Sequence, residues 1–318
     1  MADIEVKKRS ERYRGRITQI PIYIGKCFRM FVYQSDWKVI PLASFIAMIV
    51  AVVVRKSFYV TMEGTTKGAL ALMSVALWNG FFNSIQVVCR ERSIIKREHR
   101  SGMHITSYIF AHMVYQLFIC VIQTVTTLLV FMYMDVKFPS DGVVSDYFLL
   151  DMFVTLLLVT YSADMLSLFL SSIVKSTTAA MTIMPLVLMV QLIFSGCMFS
   201  LPKGIKPLSN FMISNHATAC ICAEANYNSL PSSSGWNMLK KMSKREDADP
   251  RIKSLVAEME LTGQDELIKV ETAKSNFDKD YESTYINVKY HWRFMFAMSL
   301  IFAGLSVAAL EFIDKDKR

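Results

Sequence analysis

A chain of 318 residues could hold one large domain or two ordinary ones, but 53% hydrophobic content against 19% charged departs from the usage of soluble domains. Together with a mean hydropathy of +0.33, this excludes an ordinary soluble enzyme and points to the membrane. The net charge of +8 is not a sign of nucleic-acid affinity, because the basic residues cluster where a membrane protein uses them to set its topology.

The first segment, residues 1–37, carries Lys7, Lys8, Arg9, Arg12, Arg14, Arg16, Lys26 and Arg29 and has no apolar leader. Within it Ile17, Ile20, Pro21, Ile24, Cys27, Phe28 and Phe31 recur at helical spacing and draw one apolar stripe, with Lys26 and Arg29 off it. That pattern predicts an amphipathic helix lying in the headgroup plane, with Trp37 marking the interface. A soluble helix packed on a partner domain is the competing reading.

Six runs then have spanning length: about Val39 to Val54, Gly68 to Val88, Ile105 to Met134, Tyr147 to Val174, Thr177 to Leu201 and Phe294 to Ile313. Pro41 falls in the first turn of its run, where a missing N–H costs little, whereas Pro185 falls inside the fifth and predicts a kink. An even number of spans puts both termini on one side. The positive-inside rule makes that side cytoplasmic, with the basic stretch "CRERSIIKREHRSGM" (residues 89–103). The loop "DVKFPSDGVVSD" and the long segment 202–290 then face outward, and the C-terminal "DKDKR" returns inside. Between Ser229 and Lys289 the composition turns Ser-rich and then Lys- and Glu-rich, as expected of an outer, mostly helical subdomain. The expected fold is an all-α polytopic membrane protein of the plasma membrane, divided at 1–37, 38–201, 202–290 and 291–318.

The chain contains no phosphate-binding Gly-x-x-x-x-Gly-Lys-[Ser/Thr] loop, no His-Glu-x-x-His and no Gly-x-Ser-x-Gly. It is therefore expected to have no catalytic residues and no ATP hydrolysis of its own. Neither the six cysteines nor the five histidines have metal-ligand spacing. Polar residues inside spans carry more information. Asn79, Asn83, Gln86 and Arg90 form one stripe in the second run, and His112, Gln116, Gln123 and Thr127 form another in the third. Each stripe faces either neighbouring helices, as hydrogen-bonding glue, or a water-filled path. Asp164 is the one acidic residue deep inside a run, and it supports an alternative in which the chain is an ion-gradient transporter or channel. A weaker alternative is a receptor or scaffold acting through the outer subdomain.

The stretch 89–103 mixes acidic, basic and apolar residues, which suits docking to a protein better than to lipid. At "ERSIIKREHRSGMHITSYIFAHMVYQL" and at "SSIVKSTTAAMTIMPLVLMVQLIFSGCMFSLPKGIKPLSNF" the chain resembles the membrane domain of the type-2 ABC exporters, specifically the G subfamily. The likeness covers about residues 17–228, where "SNHATACICAEANYN" is similar to a re-entrant helix pair, and the final span. It implies a coupling helix at about 91–104 in which Glu91, Arg92, Arg97 and Glu98 relay motion from an ABC ATPase subunit. It also implies a dimer with an identical or paralogous permease half, and export with ATP and Mg bound on the partner subunit. Asn79 matches a substrate-stacking position, with Asn83 one turn on, while Met189 and Leu192 match cavity-lining positions. Phe194, Gly196, Cys197 and Met198 match an outer plug, in which the multidrug members carry two leucines instead.

Overall fold

A computed structural model describes residues 15–33, 36–198, 204, 206–245 and 249–312. The basic residues Lys7 to Arg14, the stretch 199–203 and the C-terminal "DKDKR" lie outside the described residues. Thirteen α-helices, three single-turn 3-10 helices and no strand occur among the described residues. The α-helices are α1 (Arg16–Tyr33), α2 (Val39–Val54), α3 (Met62–Ser84), α4 (Val87–Arg100), α5 (Ile105–Tyr133), α6 (Phe148–Ile173), α7 (Thr177–Ile193), α8 (Lys206–Ser209), α9 (Ile213–Glu224), α10 (Ser234–Ser243), α11 (Pro250–Thr262), α12 (Asp265–Ser275) and α13 (Tyr285–Glu311).

The six apolar runs are α2, α3, α5, α6, α7 and α13. The α3–α4 pair, α5, α6 and α13 are long and apolar enough to cross a membrane. At 16 and 17 residues α2 and α7 are shorter, a few Å less than the ~30 Å hydrocarbon layer at 1.5 Å per residue. Boundaries move where capping and polar contacts decide them. α3 starts at Met62 rather than Gly68, because Thr61 Oγ1 accepts from Gly64 N at 3.2 Å and starts the helix early. α13 begins at Tyr285, so its first turns carry Lys289 and His291 before the apolar run. α7 runs through Pro185 and ends at Ile193.

α3 and α6 are the central pair, with α13 and α5 against α6, α2 against α5 and α3, and α1 along α5. α3 and α6 come close at Gly80, where a Cβ would lie 2.3 Å from Thr160 O and 2.8 Å from Asp164 N. Only glycine lets the two backbones meet there. α2 presents Ala43, Ala47, Ala51 and Val54 to its neighbours, a small-residue stripe of the kind that packs helices where the solvent is lipid. α1 and α4 sit at one end of the bundle, and α8 to α12 at the other. At this second end Asp151, in the first turn of α6, accepts from Val143 N (2.8 Å), Val144 N (2.8 Å) and Ser145 N (3.0 Å), folding the α5–α6 loop onto the helix.

Candidate functional site

Three regions carry groups whose placement needs explaining: the α1–α4 platform, the polar interior of α3, α5 and α6, and the open faces of α3 and α7.

The helix expected at about 91–104 begins at Val87 and ends at Arg100, where Gly102 at φ +98° turns the chain into α5. Both carboxylates and one arginine turn inward. Glu91 is buried and accepts from Lys26 Nζ at 3.3 Å and from Tyr108 Oη at 3.3 Å. Glu98 accepts from Tyr23 Oη at 3.2 Å and stands 3.7 Å from Lys26 Nζ. Arg92 points inward too, donating to Ser172 O (3.0 Å) and Val174 O (3.2 Å), carbonyls left open at the C-terminus of α6. In return Ser171 Oγ accepts from Val88 N (3.1 Å) and Cys89 N (3.2 Å) at the start of α4. Outward, at helical spacing, stand Arg90, Ser93, Ile94, Arg97 and Arg100. The mixed-sign docking surface expected from sequence is therefore corrected: both carboxylates turn in to meet α1 and α5, and the outer face is basic around one isoleucine.

Lys26, off the apolar stripe of α1, is the cation that both glutamates of α4 share. Gln19, two turns earlier on α1, fixes the α4–α5 corner by donating to Gly102 O (3.0 Å) and accepting from His104 N (2.9 Å). Ser107 Oγ donates to Arg16 O at 2.8 Å. Burial pushes the Cys27 thiol up to about 12, helped by the nearby Glu91 carboxylate. The Tyr23 hydroxyl is raised above its ordinary range by burial and by Glu98. Charged and hydrogen-bonded contacts thus weld α1, α4 and the start of α5 into one block, joined end-on to α6.

The two intramembrane polar stripes meet each other. Asn83 and Gln123 exchange a reciprocal pair of hydrogen bonds at 2.9 Å, and Gln116 Nε2 donates to Ser84 Oγ at 2.8 Å. Asp164, fully buried, accepts from Ser84 Oγ, from Asn83 Nδ2 at 3.5 Å and from Cys120 Sγ at 3.4 Å. The carboxyl is surrounded by donors from α3 and α5. Beside this network a cavity of about 180 Å³ opens between α1, α3, α4, α5 and α7, with Asn83, Gln86, Arg90, His112, Gln116 and Met181 on its wall.

The residues expected along a path fall into two environments. Asn79 is buried and Asn83 is held inside the network, whereas Met189 is 61% exposed on the open side of α7 and Leu192 is half-buried beneath it. The more open stripe of α3 is instead Lys67, Ser74, Trp78 and Phe82, with the Trp78 and Phe82 rings stacked at 5.3 Å. Sequence reasoning missed Trp78 and Phe82 because the amides at 79 and 83 drew attention one position off that face. α7 touches its own chain lightly and leaves Met181, Leu186, Met189 and Val190 uncovered. Past its end, Phe194 and Cys197 are partly covered, while Gly196 (φ +79°) and Met198 are exposed. Among the described residues no group of three or more His, Cys, Asp or Glu could hold a metal.

The chain matches no curated protein. The profile of the ABC-2 type transporter family matches residues 19–214, from α1 through the start of α9, so the match spans the platform, the polar interior and both open faces. The chain belongs to the ABC-2 type transporter family and is an integral-membrane permease component of an ABC transporter.

Proposed function

We propose that this permease is half of an ATP-driven exporter of the plasma membrane, that it works as a dimer, and that the basic face of α4 is where a separate ATPase subunit docks. The observation that carries this reading is the way α4 divides its charges, with both carboxylates held against α1 and Arg97 left outward. A helix whose carboxylates bond to Lys26 and Tyr23 on α1, whose Arg92 turns in to α6 and whose Arg97 stands out beside Ile94 suits a partner surface that is acidic with an apolar centre. The positive-inside rule assigns that end to the cytoplasm, with both termini. ATP and Mg belong to the partner; this chain supplies the path.

The geometry supports a rigid mode of transmission. A push on α4 passes to α1 through Lys26 and to α6 through Arg92 and Ser171. From α6 it reaches α3 across the Gly80 contact, which has no slack to absorb it. Two copies, identical or paralogous, would cover the open faces of α3 and α7 and enclose a path lined by Trp78, Phe82 and Met189. Phe194, Gly196, Cys197 and Met198 would close its outer end. Closure of the ATPases then favours one arrangement of the halves only through its differential contact with α4. The ion-gradient reading has less support, because Asp164 is engaged by donors on two helices and so has a packing role without any proton step.

Affinity capture of the chain from its native host tests the proposal. The expected result is recovery of a nucleotide-binding subunit, lost with Arg97→Glu; a chain that transports with no ATPase present would overturn it.

A further inference from the structure

The segment after α9 lies beyond the family match, and it forms a small module closed at its neck. Asn228 Nδ2 donates to Asp278 O at 2.9 Å and Asp278 N donates to Asn228 Oδ1 at 3.1 Å. Inside that neck α10, α11 and α12 pack on one another over Trp236, Val256 and Ala273. So few buried side chains give little independent stability, so the module depends on what holds it.

It is held by α3. Glu63, in the first turn of that helix, accepts from Ser232 Oγ (2.6 Å) and Ser234 N (2.8 Å) on one oxygen and from Ser233 N (3.0 Å) and Ser233 Oγ (3.0 Å) on the other. Met62 N donates to Pro231 O at 3.1 Å beside it. Ser233 stands at the N-cap of α10, where a serine ordinarily caps its own helix, yet its side chain makes no such bond. The hydroxyl donates to Glu63 instead, and the open N–H groups of α10 are satisfied by a carboxylate from a distant helix. The neck also reaches the segment after α7. Tyr281 Oη lies 3.8 Å from Cys197 Sγ, and the Tyr281 ring meets Tyr227 edge-on at 5.1 Å.

We infer that Glu63 is a positioning residue that makes the outer module move with α3 during the transport cycle. If α3 shifted alone, charge-assisted bonds from the module would break and leave the start of α10 without partners. Coupling of this kind is reciprocal: anything that binds the module biases the arrangement of α3, and hence the ATP-driven equilibrium. The inference rests on the permease reading, since it needs α3 to move.

Spin labels carried by unnatural residues at Lys67 on α3 and Thr262 on the module, each paired with a reference label at Ile286 on α13, test it in the assembled complex. Distances are compared between the nucleotide-free and the vanadate-trapped states. The expected result is that both distances shift together in the wild type, that Glu63→Ala leaves only the Lys67 distance shifting, and that Glu63→Gln, which keeps one acceptor oxygen, gives an intermediate Thr262 shift. A Thr262 distance that stays fixed in the wild type while Lys67 moves would overturn the inference and leave the permease reading intact. So would an unchanged Thr262 shift in Glu63→Ala. If neither distance responds to nucleotide, the permease reading falls and takes the inference with it.

Discussion

Lys26 on α1 and Glu91 on α4 lie 65 residues apart in sequence and 3.3 Å apart in space. Glu91 is buried and Lys26 about a quarter exposed, so removing the lysine leaves the carboxylate with Tyr108 as its partner among the described residues. Lys26→Met should cost about 2 kcal/mol, less than the loss of a fully buried pair because water reaches the ammonium. Replacing both partners, in Lys26→Met with Glu91→Leu, should cost less than the sum of the single variants. Thermal unfolding in detergent measures the cycle; strict additivity would show that the pair does not hold the platform.

The same contact guards Cys27. Only a thiolate attacks a maleimide, and a thiol pushed up to about 12 by burial supplies almost none at neutral pH. Cys27 should therefore label slowly at pH 7–8 in the intact protein and much faster in Lys26→Met, where α1 lifts from α5. Equal labelling rates would mean that α1 is not held down by this charge pair.

Asp164 separates the two mechanistic readings. Its partners Ser84, Asn83 and Cys120 lie on α3 and α5, and intramembrane hydrogen bonds average about 0.6 kcal/mol each. Asp164→Leu should destabilise the bundle by about 2 kcal/mol, while Asp164→Asn should retain most stability and most transport. Loss of transport and of its pH dependence in a well-folded Asp164→Asn protein would favour a proton-coupled mechanism instead.

Gly80 tests the α3–α6 contact. A Cβ there meets Thr160 O, so Gly80→Ala must push the helices apart at a cost of about 1–3 kcal/mol. Gly304→Ala, at a position on α13 where nothing lies within 4 Å of the new carbon, should be tolerated. Folded yield by size exclusion compares the two directly.

Much of this architecture was legible in the residues. Long apolar runs named all six bundle helices, and the caps Thr61 and Ser176 explain where α3 and α7 begin. The inward and outward faces of α4 were not legible. Val88 and Ile95 mark the buried side of α4, but nothing local places Glu91 on it as well, and the partners of its carboxylates, Lys26, Tyr23 and Tyr108, lie on other helices. The two polar stripes were visible separately, but their meeting at Asn83 and Gln123 is a tertiary fact. Glu63 gave no signal at all, because the helix it caps starts some 170 residues later. Local pattern locates elements; partners far along the chain decide which face each one shows.

The central claim is that the outward face of α4 meets an ATPase subunit. Photo-crosslinking residues placed singly at Ile94 and Arg97, with Val32 on exposed α1 as a control, probe that contact in the native host. The account predicts covalent adducts to a nucleotide-binding subunit from positions 94 and 97 and none from 32. Capture of such a subunit without adducts from either α4 position would contradict it.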